Sequence, residues 1–288
     1  MTTIPHFTTL GAGPTILMLH GIGGGHLMFA PQVETFASLG YRAVAWDMPG
    51  YGRSAPIEPY TFKGLAQSCV ALIDALLGED HERRRAAPRR EGPPGGQRST
   101  QGDKRGGVVL LGHGMGGMVA QEVVARRPEL VSRLILCGTT AAFGQGDGDW
   151  QRSFLAQHTA PLDAGQTMAE LAQTLVPKII GPAALPEGVK LATQCMGQVN
   201  PSTYRRALQA LLSFDRQASL PNIHVPTLLV AGEHDTEAPA VLMQRMARLI
   251  AGSSYIEFSG IGHLQNLEAP EEFDGAVLAF LAQQRQLH

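Results

Sequence analysis

No stretch of this 288-residue chain approaches the roughly 18 consecutive apolar residues of a membrane-spanning helix. Residues Met1 to Leu10 have no basic cluster followed by an apolar core, the pattern of a secretion leader. Cysteine is scarce: Cys69, Cys137 and Cys195 are odd in number and widely spaced, which excludes a disulfide framework or a cysteine-based zinc set and reads as reduced thiols. An excess of charge is missing too. The net charge of -2 gives no long-range field for nucleic acid or an anionic lipid surface. The expected setting is the cytosol, with neither a nucleic-acid nor a membrane partner; a homo-oligomer is left open.

Also absent is a side chain at position 114. Val108-Val109-Leu110-Leu111-Gly112-His113-Gly114-Met115-Gly116-Gly117 has the strand, sharp turn and small-residue spacing of a nucleophile elbow, G-x-S-x-G, but glycine stands where the serine hydroxyl belongs. An elbow holds one side chain above a sheet, and glycine has none to hold.

What is present is an alternation of apolar runs and amphipathic stretches. Thr15 to Leu19, Ala43 to Trp46, Val108 to Leu111, Leu134 to Cys137 and Thr227 to Val230 read as strands covered on both faces. Between and after them, Pro31 to Ser38, Phe62 to Leu77, Met118 to Arg127, Ala238 to Ile250 and Pro270 to Gln284 read as helices. Such alternation predicts an α/β fold with a mostly parallel sheet, helices on both faces and a site beyond the carboxyl ends of the strands. The segment Gly78 to Gly107, with Arg83-Arg84-Arg85 and Pro93-Pro94-Gly95-Gly96, has almost nothing to bury and is expected to be a mobile inserted loop. Residues 141–220 read as a helical cap over a core formed by residues 1–140 and 221–288.

Chemistry-bearing residues fall at successive strand ends. The loop His20-Gly21-Ile22-Gly23-Gly24-Gly25 can turn backbone N–H groups toward an oxygen, as an oxyanion hole requires. Asp47-Met48-Pro49-Gly50-Tyr51-Gly52-Arg53-Ser54 reads as an architectural tight turn. Gly232-Glu233-His234-Asp235 offers a carboxylate, and Gly260-Ile261-Gly262-His263, after a short strand at Tyr255 to Phe258, offers an imidazole. The sequence order of oxyanion loop, elbow, acid and histidine is that of the α/β-hydrolase triad.

On these residues the chain resembles the α/β-hydrolase superfamily over nearly its whole length. Within it the chain is most similar to the 3-oxoadipate enol-lactonase and small carboxylesterase group, through its size, its helical cap and Leu136 to Phe143. The resemblance implies cofactor-free hydrolysis of a small ester or lactone. Asp235 would orient His263, His263 would be the general base, and the backbone N–H groups of Ile22 and Met115 would be the oxyanion donors. The triad reading requires His263 within about 8 Å of the Gly114 alpha carbon.

Gly114 is compatible with three roles: a hydrolase inactivated at its nucleophile, a family member that only binds a small molecule, or a His263–Asp235 pair doing base chemistry without a covalent intermediate, as in a lyase or a cofactor-free oxygenase. Gly112 to Gly117 also fits G-x-G-x-x-G, the dinucleotide fingerprint, but the following strand ends Leu136-Cys137-Gly138-Thr139 without the acidic residue that fingerprint needs. Apolar residues between Phe143 and Phe214 supply material for a pocket, and Arg152, Lys178, Arg205 and Arg206 are candidates to meet a substrate carboxylate.

Overall fold

The computed structural model describes residues 3–86, 106–143 and 148–283. In chain order the elements are β1 (Phe7–Leu10), β2 (Thr15–Leu19), α1 (Ala30–Ser38), β3 (Arg42–Trp46), α2 (Phe62–Ala86), β4 (Val108–His113), α3 (Met115–Arg126), β5 (Val131–Cys137), α4 (Gly148–Asp163), α5 (Met168–Ile179), α6 (Pro186–Gly197), α7 (Pro201–Leu211), β6 (Thr227–Gly232), α8 (Ala240–Leu249), β7 (Ser254–Phe258), α9 (Gln265–Glu268) and α10 (Pro270–Gln283). The seven strands form one sheet in the order β1-β3-β2-β4-β5-β6-β7. β1 runs antiparallel to β3, and every other neighbouring pair is parallel.

The apolar runs are continuous because both faces are covered. Along β2, Leu17 and Leu19 join one core with Leu65 of α2 and Val119 of α3, while Ile16 and Met18 join a second core with Phe36 of α1 and Phe273 of α10. The side-chain period of two thus feeds two helix layers from one strand. Between β5 and β6 lie α4 to α7. The stem of this insert is closed by the Phe143 N–H donating to the Phe214 carbonyl at 2.9 Å and the Arg216 N–H donating to the Ala141 carbonyl at 2.6 Å.

Three sequence expectations change. β1 was not foreseen: it is a four-residue, partly exposed edge strand. α3 begins at Met115, three residues earlier than its apolar pattern suggests. The largest change is in the expected loop 78–107, where residues 78–86 continue α2. Arg42, buried at the edge of β3, bonds Glu79 at 2.6 Å and Asp80 at 3.0 Å, and the Thr15 hydroxyl also donates to Asp80. A segment with little to bury stays helical because a buried guanidinium needs its carboxylates. The rest of that expectation, residues 87–105, lies outside the described residues.

Candidate active site

Gly114, Ile22, Met115, Asp235 and His263 lie at the carboxyl edge of the sheet. Gly114 links β4 directly to α3 with φ 53° and ψ -120°, a positive-φ conformation that residues bearing a side chain rarely adopt. The turn is fastened on both sides: the Gly114 N–H donates to the Cys137 carbonyl at 3.0 Å, and the Gly114 carbonyl accepts from the Thr139 hydroxyl at 2.7 Å and from the Gly117 N–H at 3.0 Å. Gly116 allows α3 to close on the end of β2, because a Cβ there would stand 2.1 Å from the Leu19 carbonyl oxygen. That approach brings the His20 loop against the elbow.

Asp235 and His263 meet as expected. His263 Nδ1 lies 2.9 and 3.0 Å from the two Asp235 oxygens, and a Cβ built on Gly114 would stand 3.5 Å from His263 Nε2. Oδ1 of Asp235 also accepts the N–H groups of Glu237 at 2.9 Å and Ala238 at 2.8 Å. Burial works against charge on Asp235, but His263 and these backbone donors outweigh it and hold the carboxyl below its usual range. Burial likewise works against protonated His263, yet Asp235, then Glu237 and Glu268, overcome it and raise the imidazole above its ordinary 6.5.

Several residues not singled out from the sequence hold this pair in place. Gln265, buried, donates to Asp235 Oδ2 at 3.3 Å and to the Gly262 carbonyl at 2.8 Å. His113 Nε2 lies 2.8 Å from the His263 carbonyl, and burial pushes His113 down to about 3, so it is neutral and donates through Nε2–H. Glu268 clasps the loop: its carboxylate accepts the N–H groups of Gly262 at 2.8 Å, Leu264 at 2.7 Å and Gly181, in the α5–α6 connection, at 2.7 Å. The His263 N–H donates to the Ile179 carbonyl at 2.7 Å, so the histidine loop and the end of α5 are directly joined.

Ile22 and Met115, whose N–H groups are the expected oxyanion donors, line the same cavity. Met115 opens α3, and its N–H is among those a helix leaves without an internal partner. In the Gly21–Ile22 peptide, the Gly21 carbonyl accepts from His20 Nδ1 at 2.7 Å and from the Gly24 N–H at 3.3 Å. The N–H of a trans peptide points opposite its carbonyl, so the Ile22 N–H turns away from His20. The Ile22 carbonyl is fixed in turn by the Tyr51 hydroxyl at 3.0 Å. His20 Nε2 accepts the Met48 N–H at 2.9 Å, and burial lowers its pKa to about 4; one tautomer of the neutral ring satisfies both bonds.

Gly114, Ile22, Met115 and His263 line one cavity of about 140 Å³, with walls from the sheet edge and from all four helices of the insert. The four cations proposed for a substrate carboxylate are not among its lining residues. Arg152 pairs with Asp149, Arg205 with Asp163 at 2.6 Å and Arg206 with Glu58 at 3.2 Å, while Lys178 lies exposed on α5. Elsewhere, His6, His26 and Asp47 bring three ligand-type atoms within 4.8 Å of one another. Asp47 already takes one imidazole on each oxygen, at 2.8 and 2.9 Å, and backbone N–H groups of His26 and Arg53, so the cluster ties the start of β1 to the end of β3.

With the site's geometry established, the likeness to known proteins can be placed. A family model described as the alpha/beta hydrolase family matches residues 16–276. The chain is 25% identical to a pimeloyl-acyl-carrier-protein methyl ester esterase of Vibrio vulnificus, covering 97% of this chain and 99% of that protein. It is 24% identical to 3-oxoadipate enol-lactonase 2 of Acinetobacter baylyi, covering 96% and 92%. The polyketide synthase ThaQ of Burkholderia thailandensis is 25% identical over 94% of this chain, which spans only 12% of that much longer protein. Among solved structures, the enol-lactonase of Burkholderia xenovorans LB400 superposes with a TM-score of 0.76 at 23% identity, covering 96% of each chain, a likeness of fold. The match over residues 16–276, which include the elbow and the strand-end loops, makes the conclusion plain: the chain belongs to the alpha/beta hydrolase family.

Proposed function

We propose that this chain carries a site for hydrolysis of a small carboxylic ester or lactone whose nucleophile position is held by Gly114, so that it binds substrate but turns it over orders of magnitude more slowly than a serine-bearing site would. Asp235 orients His263 and stabilises its protonated form, His263 is the base, and the Ile22 and Met115 N–H groups receive the oxyanion. Without a side chain at 114 there is no acyl-enzyme. The chemistry left to the site is attack by water: His263 Nε2 takes a proton from water, whose oxygen bonds to the carbonyl carbon while the carbonyl electron pair moves to the oxyanion. Collapse then breaks the bond to the alcohol oxygen, which takes the proton back from His263, giving acid and alcohol.

The observation that carries this reading is the 3.5 Å between His263 Nε2 and a Cβ at position 114. An oxygen one bond beyond that Cβ lies within reach of the roughly 2.6–3.2 Å contact of a nucleophile with its base. The support for ester or lactone as substrate is the likeness to esterases and lactonases together with this geometry. Removing a triad nucleophile can cost about 10⁶-fold in rate and leave only about 10³ to 10⁴-fold catalysis over water. Gly114→Ser is therefore expected to raise hydrolysis of 4-nitrophenyl esters by about 10³-fold or more, and adding His263→Ala to abolish the gain. A folded Gly114→Ser variant as inactive as the parent on a broad ester and lactone panel overturns the reading in favour of a binding or base-only role.

A further inference from the structure

Resting on the ester or lactone reading, we propose that this site selects uncharged substrates with a compact apolar acyl group and rejects those whose acyl group ends in a carboxylate, with Glu237 at the cavity wall as a residue that sets the discrimination.

The cavity wall beside Gly114 is built from side chains such as Met28, Met118, Phe154, Leu175 and Leu208, and no lysine or arginine among the described residues lines it. Several of its polar side chains are already engaged. The Thr139 hydroxyl donates to the Gly114 carbonyl at 2.7 Å and the Thr140 hydroxyl to the Ala142 carbonyl at 3.0 Å, so neither hydrogen is free for an incoming anion. His158 contributes Nδ1 to the Phe154 carbonyl at 2.9 Å. His113 is neutral, its Nε2 directed at the His263 backbone. The Tyr204 phenol is pushed up to about 12 by burial, so it adds a hydroxyl to the wall but no charge.

The charges nearest the cavity are mostly negative. Asp235 stands behind His263, and Glu237, two residues on, lines the cavity itself. A carboxylate entering here would meet no lysine or arginine among the described residues and would face Glu237, while the imidazole of His263 is already paired with Asp235. Volume sets the compactness: an apolar cavity of about 150 Å³ in a protein core holds a molecule the size of benzene, so about 140 Å³ suits an acyl chain or ring of about six carbons.

The test uses two 4-nitrophenyl esters with the same leaving group and six-carbon acyl length: the hexanoate, ending in a methyl group, and the hydrogen adipate, ending in a carboxylate. Calorimetric binding to the full Gly114 chain and kcat/KM of the Gly114→Ser variant are compared. The expected result is a preference for the hexanoate of about 100-fold in both measurements, the scale on which an unpaired buried charge is penalised. Glu237→Lys should narrow that ratio about tenfold or more, and Glu237→Gln by less. Equal handling of the two esters, within threefold, overturns the inference while leaving the ester site intact. An unchanged ratio in Glu237→Lys removes Glu237 from the proposal. Failure of the Gly114 chain to bind either ester, with Gly114→Ser inactive on both, overturns the ester reading itself.

Discussion

At position 114 the chain escapes a conformational cost. With φ 53° and ψ -120°, the elbow is open to glycine and strained for any residue with a Cβ, by about 1–3 kcal/mol. Space is not the obstacle, since the nearest atoms to a Cβ there are His263 Nε2 at 3.5 Å and Gly21 Cα at 3.6 Å. Gly114→Ser should therefore gain activity while losing about 1–3 kcal/mol of stability, read as a lower urea midpoint at unchanged slope. A variant that is both active and as stable as the parent would contradict the strain argument. In that variant His263 must be neutral to act, and its pKa is raised above 6.5 by Asp235, Glu237 and Glu268 against the opposing effect of burial. Its kcat/KM should rise with pH through a midpoint above 6.5, and Glu237→Gln, which removes one raising charge, should move that midpoint down; an upward shift would contradict the assignment.

At the scale of elements, the joint between the histidine loop and the helical insert is the Glu268 clasp. One buried carboxylate satisfies three backbone N–H groups, two flanking His263 and one at Gly181. Glu268→Ala would strand all three donors in the interior. At about 1–3 kcal/mol for each buried group left unsatisfied, the loss should amount to several kcal/mol, measured by urea unfolding, whereas a change under about 1 kcal/mol would mean the loop can rearrange. Nothing in the sequence pattern marks this residue, because a glutamate just ahead of a helix reads as solvent-exposed, and its partners are backbone groups 4, 6 and 87 positions away. Strand ends were legible for the opposite reason: a doubly covered strand announces itself as an apolar run, and the residues just after it land at the site edge whatever the packing around them. Asp235, His263, Gly114, Ile22 and Met115 were singled out by that rule together with the family resemblance. His113, Gln265 and Tyr51 were not, since their roles depend on side chains reaching across loops. The end of α2 was misread because its support, Arg42, lies on a different element.

Across the whole molecule, two buried histidines tie stability to pH. His20 and His113 are held neutral in the folded state by burial, with pKa values near 4 and 3, and return toward 6.5 when the chain unfolds. Between these values the unfolded chain binds protons that the folded chain refuses, so stability falls as pH drops below about 6.5. His263 has the opposite sign: its raised pKa adds stability that is fully present below 6.5 and lost as pH rises through the folded value, which leaves the window from 6.5 to 5 flat for that residue. The carboxyls of Asp47, Glu122 and Asp235, held below their ordinary values of 3.8, 4.5 and 3.8, contribute stability that is lost mainly below that window. Urea unfolding at pH 7, 6 and 5 should therefore show a decline that approaches two protons taken up on unfolding, at about 1.4 kcal/mol per pH unit for each. His113→Gln, which keeps a donor for the His263 carbonyl, should remove about half of that slope. A stability profile flat from pH 7 to 5 would mean that both imidazoles gain a proton without unfolding, and the neutral tautomer that fixes the Gly21–Ile22 peptide would have to be abandoned.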